Sequence, residues 1–89
     1  MSNRFEVLVE VSLRQGVADP QGSTIERSLP ALDITGVSQV RVGKAIRFDL
    51  DAADETDARA RAEDMCRRFL SNPVIEDSRV EVRPAREGP

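Results

Sequence analysis

From Phe5 to Leu13 the apolar residues Phe5, Val7, Val9, Val11 and Leu13 alternate with mostly polar ones. That period of two is the pattern of a strand with one buried face. Gly16, Asp19, Pro20 and Gly22 make the following stretch rich in turn residues. Ile25, Leu29 and Leu32 then recur at i, i+4 and i+7, which predicts a first helix over about Gln21 to Leu32. Pro30 falls in its last turn, where it removes a backbone donor and crowds the carbonyl of Glu26, so a kink or loosened turn is expected there. After Gly36 the period returns to two. Val40 and Val42 alternate with Gln39 and Arg41, and Ile46, Phe48 and Leu50 alternate with Arg47 and Asp49, which predicts a hairpin around Gly43-Lys44.

Asp54 is placed to cap a second helix running to about Ser71, with Ala58, Ala62, Met65, Cys66, Phe69 and Leu70 on its inner face. Glu55/Arg59, Asp57/Arg61, Glu63/Arg67 and Asp64/Arg68 stand four apart with the acid first, the favourable order for helix ion pairs. Asn72-Pro73 stops that helix, Val80 and Val82 mark a short last strand, and Pro84 to Pro89 reads as a frayed tail. The order is β-α-β-β-α-β. It predicts an α+β two-layer sandwich of ferredoxin-like type, with a largely antiparallel four-stranded sheet and both helices on one face. One domain over 1–89, ordered from about 4 to 83, is expected. The outer sheet face would carry mixed charges, among them Glu6, Glu10, Arg41, Arg47, Asp49, Arg79, Glu81 and Arg83.

Composition narrows the chemistry. The chain of 89 residues has no His, Trp or Tyr, one Cys and three Phe. Without imidazole it has neither a neutral-pH base nor the usual zinc ligand, so a catalytic triad or typical zinc site cannot be built from it. Thirteen basic against sixteen acidic residues give a net charge of −3, which speaks against binding a phosphate backbone. Phe5 and Phe48 sit in the apolar rows of their strands, so no aromatic platform for stacking nucleic-acid bases is expected. Apolar runs such as Val7-Leu8-Val9 are far shorter than the roughly 20 residues of a membrane span. No cationic leader with an apolar stretch is seen, and a lone Cys66 forms no internal disulfide, so a cytoplasmic location is expected.

Local chemistry has mostly structural readings. Asp19-Pro20-Gln21-Gly22 is a turn in which Asp19 can cap the first helix, although it could also meet a partner. Gly43 serves the expected hairpin, while Arg41 and Lys44 place two cations beside its tip, suited to docking or to an anion. Asn72 and Pro73 first serve the helix stop, with partner contact as the alternative. Ile75 and Glu76 lie beyond what the stop requires and are interface candidates. Cys66 reads as a small buried thiol, because no His stands by to activate it. Asp51, Asp54, Glu55 and Asp57 read as a solvated capping segment, since their spacing is not that of a calcium loop.

Three segments in this order and spacing resemble the PurS family, the small subunit of bacterial phosphoribosylformylglycinamidine synthase. They are Gly16-Val17-Ala18-Asp19-Pro20-Gln21-Gly22, Val40-Arg41-Val42-Gly43-Lys44 and Asn72-Pro73-Val74-Ile75-Glu76-Asp77. The resemblance covers about Phe5 to Val82. It implies an assembly subunit without catalytic residues, working with a large synthetase subunit (PurL), which would hold the ATP and magnesium, and a glutaminase subunit (PurQ). It also implies a homo-oligomer, dimer or tetramer. The complex would convert formylglycinamide ribonucleotide, ATP, glutamine and water to the amidine, ADP, phosphate and glutamate, with no cofactor or metal on this chain. The alternative is a free-standing ferredoxin-like module that binds a metabolite as a dimer.

Overall fold

The alternating segment folds as the central strand β1 (Asn3–Leu13), flanked by β2 (Gly43–Ala52) and β3 (Glu76–Pro84) in the order β2-β1-β3, both antiparallel to it. The computed structural model describes residues 3–85. Register follows the apolar pattern: Val7 lies opposite Phe48 and Val82, and Val9 opposite Ile46 and Val80. One face of the sheet therefore becomes a continuous apolar surface. Helix α2 (Glu55–Met65) covers it with Ala58 and Ala62, whose small side chains let the helix approach the strands closely. Val9, Ala58 and Ala62 have no exposed surface at all. Asp54 caps α2 as expected, its Oδ1 accepting the Asp57 N–H at 2.7 Å.

Helix α1 (Pro20–Ser28) passes into a 3₁₀ turn over Leu29–Leu32. The loosened end expected from Pro30 takes that form, closed by the Asp33 N–H donating to Pro30 O (3.1 Å), with Asp33 left-handed at φ 60.

Several expectations are corrected. The sheet has three strands, not four, among the described residues. Residues 39–42 do not pair as a strand, for two reasons: Gln39 adopts φ 56, and the N–H groups of Val40 and Val42 are taken by the side chains of Glu26 and Asp19. Gly43 is accordingly the first residue of β2, opposite Ser12, and not a hairpin tip. Its missing side chain has a different reason, since a Cβ there would lie 2.7 Å from the Val11 carbonyl oxygen. The two helices do not share the sheet face, because α1 contributes no residue to either core cluster.

Phe69 is 83% exposed instead of buried. The cause is a π-helical turn over Cys66–Leu70, in which the Ser71 N–H reaches back five residues to Cys66 O. One wide turn rotates the stripe, so Leu70 packs on the core and Phe69 faces out. Of the four expected helix pairs only Asp64/Arg68 forms among the described residues (3.3 Å). Arg59 and Arg61 instead donate to the carbonyls of Val80 and Asp51, tying α2 to both edge strands. Pro84 ends β3 and Ala85 bonds back to Arg4, so the tail is ordered to that point; residues 86–89 lie outside the described residues.

Candidate functional site

At the end of the sheet where β1 stops and β2 begins, the chain makes an excursion over residues 14–42. Asp19 governs it. The carboxylate is 8% exposed; Oδ1 accepts the Gly22 N–H (2.9 Å), capping α1, and Oδ2 accepts the Val42 N–H (2.8 Å) at the far end of the excursion. These two donors hold the carboxyl below its ordinary value near 3.8 against the opposing effect of burial, and the charge of Arg41, with Nε 4.0 Å away, adds a lesser lowering. Arg41 also donates to the carbonyls of Leu13, Arg14 and Val17 (3.2–3.4 Å), so one guanidinium closes the turn leaving β1. Glu26 completes the clasp by accepting the Val40 N–H at 2.9 Å. Gly22 fits under that segment so tightly that a Cβ would collide with the Val40 carbonyl oxygen.

The third segment joins the same end. Asn72 Oδ1 accepts the Val74 N–H (3.1 Å), and Glu76 Oε1 accepts the Asn72 N–H (2.7 Å), shaping the turn before β3. The Arg14 N–H donates to Ile75 O (2.8 Å), and the Arg14 guanidinium lies 3.2 Å from Asp77.

Asp19, Pro20, Gln21, Gly43, Lys44 and Glu76 thus line one open groove of about 430 Å³, floored by Val11, Leu13 and Val42. Six of the eleven residues singled out in the sequence converge there. The other five stand around it: Gly22 and Arg41 hold its wall, and Asn72, Pro73 and Ile75 form the neighbouring turn. Lys44 has no ion-pair partner among the described residues and is the groove's cation. Sequence reasoning missed Arg14 and Glu26. Glu26 had a visible signal, an acid beside the apolar stripe of α1; Arg14 had none, since its partners lie some sixty residues on.

Chemically the groove offers the Lys44 ammonium, the carboxylates of Asp19 and Glu76, the Gln21 amide, the Ser12 hydroxyl and apolar walls. It has no nucleophile beside a base, and among the described residues no three carboxylate or thiol groups cluster as metal ligands would. No helix among the described residues is long and apolar enough to cross a membrane.

Against known proteins, residues 6–84 match the family described as PurS: Phosphoribosylformylglycinamidine (FGAM) synthase. The chain is 40% identical over 82 residues to the phosphoribosylformylglycinamidine synthase subunit PurS of Synechocystis sp., covering 92% of this chain and 82% of that one. Among solved structures it is similar to the purS subunit of phosphoribosylformylglycinamidine synthase from Thermotoga maritima, with TM-score 0.84, 31% identity, and 93% and 95% of the two chains covered. It is also similar to a chain in the structure of PurLQS from Thermotoga maritima, with TM-score 0.82, 32% identity, and 90% and 98% covered.

Proposed function

We propose a function from one established premise: the chain belongs to the PurS family. In this reading it is the small, non-catalytic subunit of phosphoribosylformylglycinamidine synthase in purine biosynthesis. It joins a large synthetase subunit and a glutaminase subunit, as the PurLQS assembly of Thermotoga maritima joins its own PurS. The ATP and magnesium belong to the large subunit, the complex is cytoplasmic, and the chain itself is a dimer or tetramer. Its task is to hold the two enzymes so that ammonia released from glutamine reaches the amidation site.

The observation that carries the reading is the convergence of three sequence-distant segments on one groove held by side-chain-to-backbone hydrogen bonds, those of the buried Asp19 carboxylate at their centre. A docking surface gains affinity when it is ordered before binding. Lys44, exposed, and Glu76, half-buried, line the groove and are suited to fixing register with a partner.

The reading is tested by reconstituting the synthetase and glutaminase subunits with and without this chain. Glutamine-dependent turnover should fall sharply on omission while ammonia-dependent turnover of the synthetase persists. Unchanged glutamine-dependent turnover would sink the assignment. Lys44→Glu, at a residue whose side chain makes no hydrogen bond or ion pair among the described residues, should weaken co-elution with the partners while leaving the fold intact; normal co-elution would remove the groove from the interface.

A further inference from the structure

Outside the arm formed by α1, its 3₁₀ turn and residues 33–42, the large apolar side chains left exposed among the described residues all fall in one stretch. They are Phe69 at 83%, Val74 at 78% and Ile75 at 39%. Three such groups within residues 69–75, one of them a phenylalanine, differ from the scattered singles of an ordinary exterior.

Their exposure is built into the backbone. In an unbroken α-helix Phe69 would follow Ala62 and Cys66 down the stripe that faces the sheet. The π-turn takes it off that stripe. The Ser71 N–H and hydroxyl both donate to Cys66 O (3.1 and 2.9 Å), Cys66 stays buried, and Leu70 packs on the core in place of Phe69. Burying Phe69 would give up those two bonds and the Leu70 contact. Turns of this kind are rare and concentrate at functional positions. On the far side the Ile75 and Glu76 N–H groups donate to Asn72 O (3.1 and 2.8 Å), and the Arg14 N–H holds Ile75 O. The stretch is thus ordered before anything binds it, as a rigid aromatic anchor requires.

The surroundings define what covers it. Arg67 and Arg68, both exposed, share the single Asp64 carboxylate at 3.6 and 3.3 Å, so the rim beside Phe69 carries surplus positive charge. A second copy is a poor occupant, since a two-fold contact centred on Phe69 would set four guanidiniums against two carboxylates. The complement is an apolar socket rimmed by carboxylates. The stretch also runs into the groove described above, because Glu76, which accepts the Asn72 N–H, lines that groove. Resting on the subunit reading above, we propose that Phe69 is the anchor of one continuous docking face. It inserts into a carboxylate-rimmed apolar socket on the same partner subunit that covers the groove, and Arg67 and Arg68 meet the rim.

Binding of the purified synthetase and glutaminase subunits to the full chain, followed by surface plasmon resonance, tests it. Phe69→Ser should keep the natural chain's dichroism spectrum, thermal midpoint and solution mass, because the exposed ring supports little within the chain. Its affinity for one subunit, the one also weakened by Lys44→Glu, should fall about 30-fold or more, and Phe69→Leu should retain most of it. Arg67→Gln with Arg68→Gln should weaken the same subunit and flatten the salt dependence of its binding. Natural affinity in Phe69→Ser overturns the anchor, as does a fall in that variant's solution mass or a loss confined to the other subunit. An unaltered chain that binds neither subunit defeats the enzyme reading itself, whereas binding by the unaltered chain that Phe69→Ser leaves untouched defeats the anchor alone.

Discussion

Gly22→Ala distinguishes packing from propensity, because the two oppose each other at this site. Gly22 is the third residue of α1, and in an ordinary helix replacing glycine by alanine gains about 1 kcal/mol. Its backbone φ is not left-handed, so no conformational reason forbids alanine. The obstacle is space. The new Cβ would collide with the Val40 carbonyl oxygen and come within 3.0 Å of Asp19 Oδ2. A backbone oxygen cannot rotate away as a side chain can, and moving residue 40 also strains the Val40 N–H bond to Glu26. Forced overpacking of this kind costs about 3 kcal/mol, at the upper end of the usual range. Set against the propensity gain, the net loss is about 2 kcal/mol. For a domain of this size that lowers the thermal midpoint by roughly 8–16 °C.

Thermal unfolding followed by circular dichroism at fixed protein concentration measures it, since an oligomer's midpoint moves with concentration. Ser23→Ala, one residue on and exposed, is the control and should change the midpoint by no more than a few degrees. If Gly22→Ala is neutral or stabilising, helix propensity wins, α1 is not wedged against residues 40–42, and the clasp at the base of the arm is not rigid.

Two further outcomes follow from the same framework. Asp19 has a folded pKa below its ordinary value, so its contribution to stability is fully present above about pH 4 and disappears as pH falls through the depressed folded value. The stability gap between the natural chain and Asp19→Asn, read by denaturant titration, should therefore be constant near neutrality and close at strongly acid pH; a gap that survives below the folded pKa would refute the carboxylate's role. Val9→Ala removes two methylene equivalents from a fully buried site and should cost about 2–3 kcal/mol, whereas Val74→Ala, at 78% exposure, should cost almost nothing in the same denaturation experiment.

The elements legible in the sequence were those whose cause is local. The alternation of Phe5 to Leu13, the cap at Asp54, the disturbance at Pro30 and the stop at Asn72-Pro73 each depend on residues within a turn or two. What the pattern could not show depends on distant partners. Val40 and Val42 alternate like a strand, yet their N–H groups answer to carboxylates fourteen and twenty-three residues away, so the hairpin never forms. Gly43 looked like a turn residue because turns are the commonest reason for glycine, whereas its cause is the closeness of the neighbouring strand's Val11 carbonyl. Phe69 fell on the expected apolar stripe until one π-turn rotated it. The eleven candidate residues were marked by type, but their meeting at one end of the sheet could not be read before the register of β1 with β2 and β3 was known.

That meeting explains why so plain a chain carries three distinctive segments. A catalytic site needs particular functional groups, and this composition withholds most of them. The proposed docking role needs fixed shape, which hydrogen bonds between the backbone and Asp19, Glu26, Arg41 and Glu76 supply. The same bonds hold the α1 arm away from its own sheet, leaving apolar surface on both. The clasp that orders the proposed docking groove thus also sets the position of the α1 arm, so a change at Asp19 or Arg41 disturbs both together.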